Sequence, residues 1–261
     1  MRRHAPGVGE VGHVHARVER GPDDKGYWLD AVTGAALGHR RLSIVDLSPT
    51  GHQPMHSGTG RYVIAYNGEI YNHLDLRAEL RGAVPSGWRG TSDTETLLAG
   101  FDAWGIEATL GKCVGMFAFA AWDRHSRSLT LGRDRLGEKP LYYGWQGEGE
   151  AAAFLFGSDL KALRAHPSFA APVCRHALAL YMRHGYVPAP HSICKGINKL
   201  PPGHLLRLHA GDPKPCVHAY WSGKAVVEHG LAQPFGGTPA QAVDVLEALL
   251  RQAIAGQLMA D

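Results

Sequence analysis

Asn67, Gly68 and Glu69 stand in a row at the end of the apolar run Tyr62-Val-Ile-Ala-Tyr66, and their types could handle a charged amide. An Asn side chain and a Gly N–H directed the same way can donate two hydrogen bonds to one oxygen, as an oxyanion hole requires. The Glu69 carboxylate could bind a substrate ammonium. The matching cation is offered by the tandem His39-Arg40-Arg41. Strand alternation sends Arg40 and Arg41 to opposite faces, so one of them turns inward and needs an anion. That anion is either an Asp of the turn at 23 and 24, in a structural salt bridge, or a substrate carboxylate gripped by two parallel hydrogen bonds. Asp93, in Ser92-Asp-Thr-Glu95, either complements the dipole of a capped helix or stands as a fixed anion at a pocket rim. Asn-Gly is also a common hairpin turn, so the pair alone leaves both readings open.

The elements that must position these residues read as follows. Tyr62 to Tyr66 alternates like a buried strand, which Asn67-Gly68 is expected to stop in a sharp turn. Gly26–Leu29 and Ala36–Val45 read as strands, and Asn72 is expected to cap a helix over His73–Arg81. A capping box opens Thr94–Trp104, whose Leu97, Leu98 and Phe101 form an apolar stripe. Met116–Trp122 and Ser128–Gly132 form a hairpin, Leu141–Gly144 pairs with Ala152–Phe156, and Asp159–Ala165 and His176–His184 are helical. A last hairpin is expected near Leu200-Pro-Pro-Gly203 through Leu208. Strands in pairs with helices between the pairs predict antiparallel sheets covered by helices, an α+β domain. From residue 209 to 237 composition shifts to Gly, Pro, Lys and His without periodicity, as in a linker, and Pro239–Leu258 reads as a new amphipathic helix with Val243, Leu246, Leu250 and Ile254 on one face.

Composition narrows the partners. The net charge of +3 over 261 residues, with no basic block carrying interleaved aromatics, gives no reason to expect nucleic acid. No apolar run reaches membrane-spanning length and the N-terminus lacks a signal-peptide core, so no membrane partner and a cytoplasmic location are expected. Cys113, Cys174, Cys194 and Cys216 are far apart with no CxxC, which predicts ordinary thiols, and no metal site is expected. Gly7-Val-Gly-Glu-Val-Gly12 matches a dinucleotide pattern without the preceding strand and following helix that give it meaning. His13 and His15 share a face but have no third ligand nearby.

Seven segments in order resemble the glutamine-dependent asparagine synthetases: Arg20-Gly-Pro-Asp-Asp, His39-Arg-Arg-Leu-Ser-Ile-Val-Asp, Asn67-Gly-Glu-Ile-Tyr-Asn, Ser92-Asp-Thr-Glu, Met116-Phe-Ala-Phe, Arg133-Asp-Arg-Leu-Gly-Glu-Lys-Pro-Leu-Tyr and Leu200-Pro-Pro-Gly-His. The resemblance runs from about residue 20 to 261. It implies a class II glutamine amidotransferase domain over 20–208, of the Ntn-hydrolase fold, a four-layer α/β/β/α sandwich. It further implies an atypical N-terminal segment over 1–19, a linker over 209–237, and the first helix of an ATP-pyrophosphatase synthetase domain over 238–261.

Carried over by position, the resemblance implies that Arg41 holds the α-carboxylate of L-glutamine, that Glu69 and Asp93 hold its α-ammonium, and that the backbone around Leu42, Ile44 and Val45 lines the pocket. Asn67 and the Gly68 N–H would stabilise the oxyanion. The complete enzyme would pass ammonia to aspartate with ATP and Mg²⁺ bound in the synthetase domain, no cofactor being expected in this chain, and a homodimer is compatible with it. Two departures stand out. The family's nucleophile is a Cys exposed after Met removal, whereas Met1 is followed here by Arg2-Arg3-His4 and the first cysteine is Cys113. The expected glycine- and serine-rich ATP loop would lie just beyond Asp261. The chain as written is therefore expected to be inactive as a glutaminase, with a non-catalytic glutamine-binding or partner-docking module, or amidation of another carboxylate, as the alternatives.

Overall fold

The computed structural model describes residues 24–41, 49–84 and 87–258, with Arg41 and Pro49 described by their backbone only. Gly7–Gly12, His13, His15, Leu42, Ile44 and Val45 lie outside the described residues. A hairpin of β1 (Asp24–Asp30) and β2 (Ala35–Arg41) comes first. The large sheet contains β3 (Met55–His56), β4 (Tyr62–Ile70), β5 (Gly115–Asp123), β6 (Ser128–Arg133), β10 (His204–His209) and β11 (Cys216–Ala219), in the antiparallel order β11-β10-β6-β5-β4-β3. A smaller sheet, β8-β7-β9, is built from β7 (Tyr142–Gln146), β8 (Ala153–Gly157) and β9 (Asn198–Lys199).

The period-two pattern of these strands divides the apolar residues between two faces. On β4, Tyr62, Ile64, Tyr66 and Ile70 join Phe117 and Phe119 of β5 beneath helices α1 (His73–Glu79), α2 (Asp93–Trp104) and α3 (Ile106–Lys112), which contribute Leu76, Leu97, Leu98, Phe101, Ile106 and Leu110. Val63 of β4 turns the other way with Ala118, Ala120 and Trp122 of β5, meeting Tyr143, Trp145, Phe154 and Phe156 of the small sheet. The alternate residues of that sheet, Tyr142, Ala153 and Leu155, pack outward with Leu163 of α4 (Leu160–Arg164). Helix, sheet, sheet and helix make the α/β/β/α sandwich that the resemblance implies. Helix α5 (Arg175–His184) follows α4, and α6 (Gly223–Ala232) and α7 (Pro239–Gln257) come after β11. Among the described residues no helix is long and apolar enough to cross a membrane.

Several local expectations are corrected. Asn67-Gly68 does not end its strand: β4 pairs with β5 without a break from Tyr62 opposite Asp123 to Ile70 opposite Gly115. A type I′ turn needs positive φ at both central residues, and neither Asn67 nor Gly68 has it. Leu200-Pro-Pro-Gly203 does not close a hairpin. It carries the chain from β9, paired with β7, across to β10, paired with β6 and β11. The stretch expected as a linker contains β11, which extends the large sheet, and α6. Asn72 precedes α1 without capping it, its side chain instead accepting from the Val114 N–H at 2.8 Å and donating to the Lys112 carbonyl at 3.0 Å. Ser92 does cap α2 through the Glu95 N–H. Glu95 does not return the bond, because its carboxylate takes the N–H groups of Arg89 and Gly90.

Candidate functional site

The end of β4 is an edge. β3 pairs only as far as Ile64, so beyond it the side of β4 facing away from β5 has no neighbouring strand among the described residues. Phe117, opposite Gly68, spends its own N–H and C=O on Asp134, so Gly68–Phe117 is a pair without mutual hydrogen bonds. The N–H groups of Tyr66, Gly68 and Ile70 therefore point together toward the open edge. Tyr66 N–H is taken by Oε1 of buried Gln53 at 2.7 Å and Ile70 N–H by Oδ2 of Asp93 at 2.9 Å. The Gly68 N–H lies between them, and no described residue accepts from it. Asn67, beside it, makes no side-chain hydrogen bond among the described residues. A free backbone donor and a free amide next to each other are what an oxyanion needs.

Gly68 has a steric reason to be glycine. A Cβ there would stand 2.2 Å from the Met116 carbonyl oxygen and 2.6 Å from Phe117 Cα. At this register β5 approaches closely enough to leave no room for a side chain at position 68.

Two carboxylates flank this edge. Glu69 is 6% exposed and Asp93 5%. Asp93 opens α2, and its Oδ2 also accepts from the Tyr66 hydroxyl at 2.9 Å. Burial pushes the Asp93 carboxyl above its ordinary range, against the pull of the hydrogen bonds from Ile70 and Tyr66 and of nearby His73. Burial likewise raises Glu69, the charge of Asp93 raises it further, and Lys139 partly offsets both. No hydrogen bond or ion pair among the described residues engages the Glu69 carboxylate. Two neighbouring buried carboxylates of raised pKa are a charge set that an arriving cation would relieve. His73, 7% exposed, has its pKa lowered by burial and by Arg77, against Asp93, and its Nδ1 has no partner among the described residues.

Of the residues singled out from sequence, the structure thus brings together Asn67, Gly68, Glu69 and Asp93. Arg41 ends β2, and the register sets Asp24 directly across from it. Asp24 also holds His52 Nδ1 at 2.6 Å through Oδ2. Leu42, Ile44 and Val45 lie outside the described residues. Sequence reasoning passed over Tyr66 and Gln53. No local pattern marks either, since Tyr66 meets its partners 13 and 27 residues away. The cysteines are free, Cys113 and Cys194 being buried and Cys216 exposed. Cys113 packs in the helix-side core and burial pushes its thiol up to about 12, which suits a structural residue rather than a nucleophile.

A family model described as glutamine amidotransferase domain matches residues 10–221. The chain is 37% identical over 247 residues to asparagine synthetase (glutamine-hydrolysing) 3 of Bacillus subtilis, covering 93% of this chain and 37% of the relative. It is 38% identical over 186 residues to asparagine synthetase (glutamine-hydrolysing) 1 of the same organism, covering 71% of this chain and 28% of the relative. The chain thus spans less than two fifths of the length of the curated relatives it matches. Among solved structures, glutamine phosphoribosylpyrophosphate amidotransferase of B. subtilis superposes with a TM-score of 0.52 over 72% of this chain and 35% of that one, at 19% identity, a likeness of fold. With the family model covering most of its length, the chain belongs to the glutamine amidotransferase domain family.

Proposed function

We propose that the open edge of β4 is the site where L-glutamine binds and its carboxamide is hydrolysed, the ammonia released serving ATP-dependent amidation of aspartate in a longer polypeptide. The observation that carries the reading is the Gly68 N–H, which no described residue accepts from, between the occupied N–H groups of Tyr66 and Ile70, with the Glu69 and Asp93 carboxylates alongside. In this reading the α-ammonium sits against Glu69 and Asp93. Arg41 takes the α-carboxylate, and the backbone around Leu42, Ile44 and Val45 lines the pocket. As a nucleophile adds to the side-chain amide carbon, the carbonyl oxygen gains negative charge, which the Gly68 N–H and Asn67 amide stabilise. Collapse of that intermediate breaks the C–N bond and, with a proton delivered to nitrogen, frees ammonia. An oxyanion donor of this kind is typically worth about 3 kcal/mol in the transition state. No cysteine among the described residues offers the thiol and adjacent α-amine this chemistry uses in the resembled family, because all four are internal. ATP and Mg²⁺ belong to the amidation half of the reaction. The cytoplasm is the location that suits it, and a homodimer the assembly.

The test is calorimetric titration of the 261-residue chain with L-glutamine, which needs no turnover. Binding is expected, and Arg41→Ala and Asp93→Asn should each remove it. Arg41→Lys should rescue poorly, since an ammonium cannot supply two parallel hydrogen bonds. Undiminished affinity in Asp93→Asn would overturn the assignment.

A further inference from the structure

The Tyr66 side chain belongs to the helix-side core by its strand parity, yet its hydroxyl ends on the Asp93 carboxylate. Both strong hydrogen bonds to that carboxylate, from Tyr66 Oη and Ile70 N at 2.9 Å each, arrive at the same oxygen, Oδ2. Among the described residues, its other oxygen, Oδ1, has a long 3.5 Å contact from the Thr94 hydroxyl, and the Thr94 backbone N–H adds a weaker pull on the carboxylate. Resting on the glutamine-site reading above, we propose that Tyr66 is a positioning residue: it saturates Oδ2, so that Oδ1 is the oxygen presented to a ligand ammonium, and it keeps Asp93 ionised in a buried setting.

First, a carboxylate with both bonds on one oxygen cannot rotate about its Cβ–Cγ bond without breaking them, so the orientation of Oδ1 is fixed before a ligand arrives. Preorganisation of this kind lowers the entropic cost of binding. Second, Tyr66 is itself held. Its ring sits in the packed cluster beneath the helices, and its N–H is taken by Gln53, so the hydroxyl reaches Asp93 from a fixed base. Third, the bond is between a neutral donor and a charge, and such bonds are stronger than neutral ones. Burial and the neighbouring Asp93 charge hold the Tyr66 phenol protonated far above neutral pH, so it acts as a donor throughout the accessible range. The other charged groups that interact with Asp93 are Glu69, which the alternation of β4 sends to the opposite face from Tyr66, and His73 from α1. Neither supplies a hydrogen bond to Oδ2.

The experiment measures the affinity of the full chain for L-glutamine by calorimetry from acid to neutral pH, in wild type, Tyr66→Phe and Asp93→Asn. The phenylalanine keeps the ring in the core and removes only the donor. Tyr66→Phe is expected to bind about tenfold more weakly, with the acid limb of its affinity profile moved up by about one pH unit, the equivalent of one charge-assisted hydrogen bond. Replacement of Tyr66 by 3-fluorotyrosine, a stronger donor on the same ring, should move the limb down, and it serves as the deciding variant if Tyr66→Phe does not fold. A limb that stays in place in both variants, while Asp93→Asn loses glutamine, would overturn the role of Tyr66 and leave the glutamine site standing. Glutamine binding untouched in Asp93→Asn, or absent from the wild type at every pH, would overturn the site reading and this inference with it.

Discussion

Replacement of Gly68 by alanine tests the site and the strand geometry beneath it in one step. The added methyl would be placed 2.2 Å from the Met116 carbonyl oxygen and 2.7 Å from Phe117 Cβ, where ordinary contact begins at 3.4 Å. The nearest obstacle is the backbone of the neighbouring strand β5, so no flexible side chain can swing aside. β4 and β5 must separate by roughly an ångström at this register. Forcing a methyl into a packed interior costs about 1–3 kcal/mol, and an immovable neighbour argues for about 3. With a urea m-value of about 2–3 kcal/mol per molar, the midpoint should fall by about 1 M. The same displacement moves the Gly68 N–H and Asn67 away from the ligand, and misplacement on that scale can cost on the order of 100-fold in catalysis. The assays are equilibrium urea unfolding and glutamine titration. Gly111→Ala is the matched control: Gly111 lies in α3 with nothing within 4 Å of the new methyl, so the same change should stabilise by about 0.5–1 kcal/mol. A Gly68→Ala protein with an unchanged urea midpoint would refute the close-approach argument, and unchanged glutamine affinity would remove Gly68 from the site.

Two further outcomes are expected. Glu69→Gln should stabilise the protein at neutral pH while weakening glutamine binding. A carboxyl whose folded pKa is raised holds its proton more tightly when folded, so stability is greatest below the unfolded pKa and falls as pH rises through the folded one. The glutamine side chain has no charge to bury, and urea midpoints compared at acid and neutral pH should show the variant's advantage only at the higher pH. Asp134→Asn should cost about 3–6 kcal/mol, because this fully buried carboxylate accepts from the N–H groups of Phe117, Leu136, Glu138 and Lys139, and an amide NH₂ would oppose two of those four donors. A loss under about 1 kcal/mol in unfolding experiments would mean that the loop after β6 does not depend on it.

The sequence by itself determined most of the longer strands and which side of each is buried, because a period of two needs only neighbouring residues to be read. It carried the α+β class, the β5–β6 hairpin, the Ser92 cap and the long helix from Pro239. It also carried the residue types of the site, since an amide, a glycine and a carboxylate in a row limit what chemistry is possible. Tertiary structure decided whether Asn67-Gly68 was a turn or a strand. Locally the dipeptide favours a turn, and the nine-residue pairing with β5 overrides that preference because each ladder position adds hydrogen bonds and burial that a turn would forfeit. Tertiary structure likewise sent Leu200–Gly203 from one sheet to the other, a choice that Pro-Pro-Gly alone cannot encode. It also set the Tyr66 hydroxyl on Asp93, 27 residues away, and left the Gly68 N–H, beyond the end of β3, without an acceptor among the described residues. Donor types are written in the chain, whereas which of them remains unpaired depends on where every other strand and side chain comes to rest.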